Sequence, residues 1–317
     1  DVMSRLIVKP NSLDHLKTLL KKKIDGVILS IDKLSVNSSF YVDINILDEL
    51  DFNKKLVFIS LNKLMHNDDL EHLREVMHKL VDKDVRILFY DMAVLEIASS
   101  YNMVSKLVIY QDHLNASILS NKFYQNKGIR GSYITSDITV GELLEIKDNS
   151  NMDIFFTGYG YVPIFYSRRY LITNYLKYID DDSGDNYKIL SDTNGEYIIE
   201  EEDSGTTIYS EKPINLINYL DKINKIDYLV MKEIHKARIE NFGEPTEAEV
   251  SYTTHPNKAI LVAGTNIQEL KMVFLRRKLF FQIRLKQKFG IPSAVSRRCV
   301  CRTLLQRSFG NHVLCGN

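Results

Sequence analysis

The residues with the greatest chemical potential lie in one stretch, FFTGYGYVPIFYSRRYLITNYL, at residues 155–176. Arg168 and Arg169 are adjacent, and a guanidinium group can bind a carboxylate or phosphate through two parallel hydrogen bonds. Nearby side chains offer flat faces on which a base or ring can stack: Tyr159, Tyr161, Tyr166 and Tyr170. The pattern favours an anion site with stacking surfaces. The alternative is that one arginine faces solvent and the tyrosines pack.

A helix predicted over residues 167–178 strengthens the anion interpretation. Positive charge early in a helix opposes the helix dipole, which carries partial positive charge at its N-terminus. An arginine pair at that position therefore indicates a negatively charged partner.

Two aspartates form a second candidate site. Asp91 and Asp137 each follow a predicted strand, and two close carboxyl groups can act as general acid and base. Strand-end aspartates also cap the helices that follow them. Both interpretations stay open for this pair.

Other catalytic patterns are absent from the sequence. His72 and His78 are six residues apart on a predicted helix and do not share a face as zinc ligands would. Ser167 lacks the flanking glycines of a nucleophile elbow. The three cysteines have neither zinc-site spacing nor an even count: Cys299, Cys301 and Cys315. The sequence predicts no metal site and argues against a conventional serine or cysteine peptidase.

The charges are unevenly distributed. The 317 residues have a net charge of zero, but no acidic residue follows Glu269, and residues 271–317 carry four lysines and seven arginines. This basic tail is either an RNA-binding segment or out-of-frame or fused sequence without an evolved function.

The same sequence predicts a cytoplasmic protein. No apolar run approaches the roughly 18 residues that span a membrane, and the first residues have no signal-peptide core. Residues 1–298 contain no cysteine, as suits a reducing compartment.

The elements that must position these residues alternate regularly. Apolar strand-like segments are separated by helical patterns and lie at 5–8, 26–31, 55–61, 85–91, 106–111, 131–137, 152–158 and 226–231. This order predicts an α/β fold, a (β/α)8 TIM-like barrel. A doubly wound open sheet is the alternative, although no glycine-rich dinucleotide loop follows the first strand.

A β-hairpin insertion is expected after strand seven, at about residues 187–212, with its turn at Asn194-Gly195. The expected domains are a barrel at 1–240, a C-terminal extension at 241–270 and the basic tail at 271–317. Barrel function lies where strands end and helices begin. Residues expected on that face include Ser30, Asn62, Asp91, Gln111, Asp137 and the stretch 155–176.

At this point the chain resembles a known family. The run from Ser167 to Tyr175, SRRYLITNY, with its preceding glycines, is similar to a motif of the collagenase-like peptidase family, number thirty-two of the unclassified peptidases. Gln111 with Asn115, then Gly128, resembles another passage of that family. The resemblance covers roughly residues 4–235 and is closest to short members from low-GC Gram-positive bacteria. It implies substrate contacts at Arg168, Arg169, Tyr159, Tyr166, Asn174 and Gln111.

The resemblance implies a function different from the family's name. Better-understood members look like oxygen-independent hydroxylation proteins for tRNA wobble uridine, ribosomal RNA or ubiquinone. Prephenate is implied as the hydroxyl source in the tRNA case. An iron–sulfur cluster on four cysteines is implied in the long members.

The chain departs from the family pattern at several places. Thr157 stands where the family has histidine, and Tyr161 and Tyr170 stand near its cysteines. Strand six ends in Ser136-Asp137-Ile138, where the family has Arg-Glu-Leu. Strand eight ends in Val230-Met231-Lys232-Glu233, where the family has Lys-Ile-Glu/Asp-Gly. With no cysteine before Cys299, no cluster or other cofactor is expected in this chain.

These observations predict a cluster-free subunit or paralogue in tRNA wobble-uridine hydroxylation. Its expected partners are tRNA and a cluster-bearing paralogue, with prephenate as a co-substrate and no membrane association. A collagenase-like peptidase and a non-catalytic binding module are the alternatives. Whether the chain is itself an enzyme is left open.

Overall fold

The computed structural model describes residues 4–111, 114–181, 187–191, 196–211, 213–216 and 219–232, and strands at 251–255, 258–262 and 284–285. Contacts divide the chain into two compact units. The barrel unit comprises residues 1–163 and 212–272. The sheet unit comprises residues 164–211 and 273–317.

The regular elements follow the predicted alternation. The strands are β1 (Arg5–Val8), β2 (Gly26–Ile31), β3 (Tyr41–Val42), β4 (Leu56–Leu61), β5 (Arg86–Phe89), β6 (Leu107–Tyr110), β7 (Gly131–Tyr133), β8 (Asp153–Gly160), β9 (Pro163–Ser167), β10 (Tyr187–Ser191), β11 (Glu196–Glu202), β12 (Gly205–Tyr209), β13 (Ile214–Asn215), β14 (Tyr228–Met231), β15 (Ser251–His255), β16 (Lys258–Val262) and β17 (Arg284–Leu285). The α-helices are α1 (Leu13–Leu19), α2 (Ile46–Glu49), α3 (Leu70–Lys79), α4 (Met92–Ser100), α5 (Ile118–Asn126), α6 (Val140–Asp148) and α7 (Leu171–Tyr178). Short 3-10 helices occupy Asn67–Asp69 and Val104–Lys106.

Eight parallel strands close into a barrel, which confirms the predicted fold class. The order around the barrel is β1, β2, β4, β5, β6, β7, β8 and β14, and β14 pairs back with β1. The open-sheet alternative is therefore wrong. Strand β3 extends β2 at one edge, and β13 pairs antiparallel with β8.

Alternation along each strand separates an inner from an outer core. The inner cluster fills the barrel with large side chains: Ile7, Ile28, Phe58, Leu88, Val108, Tyr133, Phe155, Tyr228 and Val230. Phe155 stacks on Tyr228 with ring centroids 4.3 Å apart, and Phe58 meets Phe155 edge-on at 5.4 Å. The intervening residues face the helices and form the outer clusters. The barrel is thus a packed core, open to function only at its ends.

Polar side chains fix where several helices begin. Ser12 caps α1, Asp91 caps α4 and Ser117 caps α5. Thr139 and Glu142 form a capping box at α6. Each cap satisfies N-terminal amides that have no partner within the helix.

Boundaries differ from the prediction in places. The helix expected over 42–50 is reduced to α2, after β3. The helix expected over 67–84 ends at Lys79, where the Lys106 ammonium group donates to the carbonyls of Leu80, Val81 and Lys83. Burial lowers the Lys106 pKa. The helix expected over 211–224 is wrong at its start, because Ile214–Asn215 is a strand.

The sheet unit is larger than the hairpin insertion expected from sequence. Strands β10 and β11 are antiparallel neighbours, but they belong to a sheet ordered β17, β10, β11, β12, β9. The turn predicted at Asn194-Gly195 lies outside the described residues. Helix α7 packs Ile172 and Leu176 against Tyr197 and Ile199 of this sheet.

Several predictions fall outside the described part of the chain. The expected domain boundaries at 240 and 270 lie there, as do the three cysteines. Only Arg284–Leu285 is described within the basic tail, so both interpretations of that tail stay predictions. Among the described residues, no helix is both long and apolar enough to cross a membrane.

Candidate functional site

Polar residues gather inside the barrel at the carboxyl ends of its strands. They stand two positions beyond inner-core residues, or continue the same alternation, so they share the inner face. We call this set the barrel mouth, formed by Lys9, Ser30, Tyr110, Thr157 and Lys232. It combines two ammonium groups, two hydroxyl groups and a tyrosine ring. Such a set can bind an anion.

Lys232 is the most tightly positioned member of the mouth. Its backbone amide donates to Tyr159 O at 2.8 Å. Its ammonium nitrogen lies 5.9 Å from the Tyr110 ring centroid and 5.7 Å from that of Tyr133. These distances fit cation–π contacts, which hold the charge over the two rings.

Gly160 explains how the chain passes so close to Lys232. Its φ is +133°, a backbone conformation that L residues with side chains rarely adopt. A Cβ at this position would lie 2.5 Å from the Lys232 Cβ. One of the two glycines of this stretch therefore has a structural reason, because Gly160 makes room for the aliphatic part of the lysine side chain.

Lys9 stands beside Lys232. Val8 pairs with Met231 in the parallel ladder, and the Lys9 amide donates to Met231 O at 2.9 Å. Lys9 and Lys232 are thus the next residues on adjacent strands, which lie about 4.8 Å apart. Lys9 is 8% exposed, and its ammonium group donates to Asn37 O at 2.6 Å.

Ser30 contributes a buried hydroxyl group to the same face. It is 2% exposed and pairs with Ser60 in the β2–β4 ladder. The two serines stand two residues beyond Ile28 and Phe58 of the inner cluster. Within the described part of the chain, Ser30 Oγ is a buried side-chain oxygen with no hydrogen-bond partner. A buried hydroxyl in that condition costs free energy unless a partner is supplied.

Thr157 stands where the resemblance in sequence would place a histidine of the family. It is fully buried, and its Oγ1 lies 2.9 Å from the Tyr133 hydroxyl oxygen. The Tyr133 ring in turn lies 4.6 Å from the Tyr110 ring. A threonine hydroxyl has no basic nitrogen, so this position orients the tyrosine and supplies no imidazole chemistry.

Gln111 lies at the end of β6, where the resemblance to the family expected a substrate contact. It is half-buried, and its Oε1 accepts from the Tyr124 hydroxyl at 3.3 Å. Burial raises the Tyr124 pKa, so the phenol stays a donor. Its neighbour Asn115 is 1% exposed and joins Asn121 and Ser132 in a buried hydrogen-bond network. This network anchors the loop between β6 and α5.

Tyr159 does not belong to the mouth. Thr157 pairs with Val230, but Tyr159 pairs with Met231, because an irregularity in β8 shifts the register between them. Such a bulge changes which face the following side chain occupies. Tyr159 accordingly packs against the outer cluster that contains Met231.

The two aspartates have different surroundings. Asp91 Oδ1 accepts from the Ala93 amide at 2.8 Å and Oδ2 accepts from Met65 at 3.0 Å, so Asp91 is a helix cap as one interpretation predicted. The helix after Asp137 is instead capped by Thr139, so the capping expected of Asp137 is wrong. Burial and the Asp91 charge raise the pKa of Tyr90.

The arginine pair lies in the sheet unit, between β9 and α7. Arg168 is half-buried, while Arg169 and Asn174 are exposed. The Tyr166 hydroxyl donates to Ser204 O at 2.7 Å, and the Tyr170 hydroxyl donates to Asp203 O at 2.9 Å. These two tyrosines therefore fasten the turn between β11 and β12. Gln111 and Tyr159 belong to the barrel unit, so the predicted residues do not share one unit.

A buried carboxylate serves the N-terminus of α7. Glu201 is 6% exposed and accepts from the amides of Ile172 at 2.8 Å and Thr173 at 3.2 Å. Thr206 accepts from the Leu171 amide at 3.0 Å and donates to Arg169 O at 2.7 Å. The negative charge that this helix end favours is thus supplied from within the sheet unit. The dipole argument for an external anion loses its force, while the arginine side chains stay predicted anion contacts.

A surface cavity elsewhere in the barrel unit is acidic. It has a volume of about 400 Å³ and is lined by residues that include Asp32, Asp43, Asp68 and Asp69. Its four carboxylates outnumber its two basic side chains, Lys33 and His72, so the cavity disfavours phosphate and carboxylate ligands. No group of three or more candidate metal ligands occurs among the described residues.

The described residues include no cysteine, so none of them fits the four-thiolate site of the cluster implied for long family members. Sequence reasoning singled out Ser30 and noticed Lys232, but it missed Lys9 and Tyr110. The signal was the strand alternation, in which Lys9 follows Ile7 by two residues and Lys232 follows Val230.

A closed barrel of eight parallel strands with helices between them defines a (β/α)8 protein, a fold in which functional sites lie at the carboxyl ends of the strands. Residues 11–264 match peptidase family U32, so the chain belongs to that family. A similar protein is tRNA hydroxylation protein P2 of Bacillus subtilis (strain 168), which is 26% identical over 176 residues. That match covers 53% of this chain and 57% of the relative, so the chain spans little more than half the relative's length.

One solved structure has a weaker likeness. It is orotidine 5'-monophosphate decarboxylase from Methanocaldococcus jannaschii, with 14% sequence identity and a TM-score of 0.34. The superposition covers 49% of this chain and 78% of the other. At that TM-score it has no weight in assigning function.

Proposed function

We propose that this chain takes part in hydroxylation of the tRNA wobble uridine as a cluster-free member of its family. The observation that carries the proposal is the similarity to tRNA hydroxylation protein P2, set within the family match over residues 11–264. The cationic barrel mouth supports it, because an RNA-modifying system of this kind must hold anionic molecules. We propose the cytoplasm, where tRNA is modified, as the location of this reaction.

The proposal assigns contacts as well as a reaction. Arg168 and Arg169 bind an anion, either the carboxylate of a prephenate-like co-substrate or RNA phosphate. The chain brings no cofactor of its own, and a cluster-bearing paralogue is its proposed partner. Such a division of labour suits a chain whose cysteines all lie after residue 298.

The peptidase alternative has less support. Peptide hydrolysis requires an activated nucleophile or a metal-bound water. Thr157 at the family's histidine position supplies neither, since its hydroxyl group is paired with Tyr133.

Deletion of the gene tests the proposal directly. Nucleosides from total tRNA of the deletion strain are separated and quantified by mass spectrometry. We expect the hydroxylated wobble uridine to fall strongly and to return when the wild-type chain is supplied. Unchanged modification would contradict the proposal. Purified chain that cleaves gelatin in the presence of a chelator would favour the peptidase.

A further inference from the structure

We infer that the barrel mouth is a binding site for a small organic carboxylate, held between Lys9 and Lys232 with Ser30 as a further donor. The inference rests on the proposed function for the identity of the acid. It rests on the barrel unit alone for the existence of the site.

Two lysines on adjacent strands are the first reason. Because Val8 and Met231 are ladder partners, Lys9 and Lys232 leave neighbouring strands, about 4.8 Å apart, on the same inner face. The Lys9 ammonium group donates to Asn37 O, and that of Lys232 lies over two tyrosine rings. Both side chains are long enough to turn toward a carboxylate bound between the two strands, and such an anion would offset the repulsion between the charges.

The buried hydroxyl is the second and independent reason. Ser30 is 2% exposed, and its Oγ has no hydrogen-bond partner within the described residues. Its ladder partner Ser60 donates to Asn62 Oδ1 at 3.1 Å. The Ser30 hydroxyl is thus available to a ligand that enters the mouth from the carboxyl ends of the strands.

Two features set the limits of the ligand. The inner cluster closes the barrel directly below the mouth with Ile7, Ile28 and Phe58, so only a small molecule or a terminal group fits. The Tyr110 and Tyr133 rings border Lys232 and favour a ligand with an unsaturated or ring-shaped body. An organic acid meets these limits better than a free phosphate does.

The assignment divides the two anion contacts of the proposed function. The carboxylate is held in the barrel unit by the mouth lysines. Arg168 and Arg169 of the sheet unit are then assigned to RNA phosphate.

Calorimetric titration of the full chain tests the site, with prephenate and inorganic phosphate as the two probes. We expect wild type to bind prephenate and to bind phosphate far more weakly. Lys232→Met and Lys9→Met should each weaken prephenate binding about tenfold to a hundredfold, the range for a charge-assisted hydrogen bond. Ser30→Ala should weaken it about threefold to tenfold.

Lys122→Met is the matched control, because Lys122 is exposed on α5, away from the inner face. It should bind prephenate as wild type does. Thermal melting confirms that each variant is folded. If the buried Lys9 variant fails to fold, the half-exposed Lys232 variant still decides the matter.

Three results would overturn the inference: no prephenate binding by wild type, unchanged binding by Lys232→Met, or equal affinity for phosphate. These results are distinct from failure of the proposed function. Loss of tRNA hydroxylation in the deletion strain without prephenate binding would remove the mouth site alone. Binding that depends on the mouth in a strain whose tRNA is unchanged would remove the proposed function alone.

Discussion

The barrel mouth and the N-terminus of α7 both contain groups that attract anions. They differ in whether those groups already have hydrogen-bond partners within the protein. At α7 the amides of Leu171, Ile172 and Thr173 donate hydrogen bonds to side-chain oxygens of Thr206 and Glu201 in the same unit. At the mouth, Ser30 Oγ is buried without a partner among the described residues. The conspicuous arginine motif thus precedes a helix whose N-terminal amides already have partners within the protein. The barrel mouth, which the sequence shows less clearly, has a buried hydroxyl group to which a ligand can bind.

The difference shows that internal hydrogen-bond partners distinguish polar groups with a structural role from polar groups that can bind a ligand. A helix end whose amides already bind a buried carboxylate is stabilised by its own fold. A buried hydroxyl without an internal partner, on the same inner face as two lysines, can gain its partner from a ligand. Variants that disturb each region should therefore fail in different ways, by loss of stability at α7 and by loss of binding at the mouth.

The largest expected loss of stability is at Gly205. Its φ is +128°, and an added Cβ would lie 2.1 Å from the Ser167 carbonyl oxygen. Gly205→Ala should lower the free energy of unfolding by about 3 kcal/mol, from backbone strain and the clash. Urea denaturation followed by circular dichroism measures the change. Gly141→Ala is the control, because its nearest neighbour would be 3.7 Å away. Equal stability of the two variants would refute the close approach of Gly205 to the Ser167 carbonyl group.

Removal of the Glu201 carboxylate, which accepts from the N-terminus of α7, should lower the free energy of unfolding slightly less than Gly205→Ala does. Glu201→Ala leaves the amides of Ile172 and Thr173 without their acceptor and should cost about 2 kcal/mol. Glu201→Gln should cost less, because its amide oxygen still accepts. Hydrogen exchange at the Ile172 and Thr173 amides should accelerate in the alanine variant. Glu96→Ala, on the exposed face of α4, should leave both amides unchanged. Retained protection in Glu201→Ala would show that this carboxylate does not serve the helix.

How much of this arrangement was predictable depends on the distance over which it is encoded. The barrel order follows from local alternation of apolar segments, and the caps at Ser12 and Asp91 follow from residues next to the helix. The Glu201 cap joins residues 29 positions apart along the chain, and no local pattern announces it. The mouth depends on strand register, which becomes visible only when β1 and β14 pair.

Tyr159 illustrates the same limit within a single strand. Simple alternation from Phe155 and Thr157 places Tyr159 on the inner face. The register shift in β8 moves it to the outer cluster instead. A bulge depends on the pairing of two strands, so periodicity alone does not reveal it.

Variants of Asp91 distinguish a helix-capping role from a catalytic role, and we expect a moderate loss of stability. Asp91→Ala removes the acceptors for the Ala93 and Met65 amides and should cost about 1.5 kcal/mol of stability. Asp91→Asn should cost less, since asparagine keeps the cap on Ala93 and loses only the acceptor for Met65. Asp91→Asn should also restore tRNA hydroxylation in a deletion strain. A folded Asp91→Asn protein without that activity would make Asp91 a catalytic carboxylate.

The smallest expected effect is at Tyr166. Tyr166→Phe removes the hydrogen bond to Ser204 O and should cost about 1 kcal/mol or less. Its stacking ring is retained, so tRNA binding should not change. A filter-binding titration with tRNA checks this, and Tyr178→Phe serves as an exposed control. A large loss of tRNA affinity in Tyr166→Phe would mean that this hydroxyl contacts RNA.

The most direct test of the central claim is quantification of hydroxylated wobble uridine in a deletion strain complemented with variants. Wild type and Lys122→Met should restore the modification, whereas Lys232→Met should not, although it melts as wild type does. Undiminished modification in the uncomplemented strain would contradict a role for this chain in tRNA hydroxylation. Full restoration by Lys232→Met would contradict a role for the barrel mouth in that reaction.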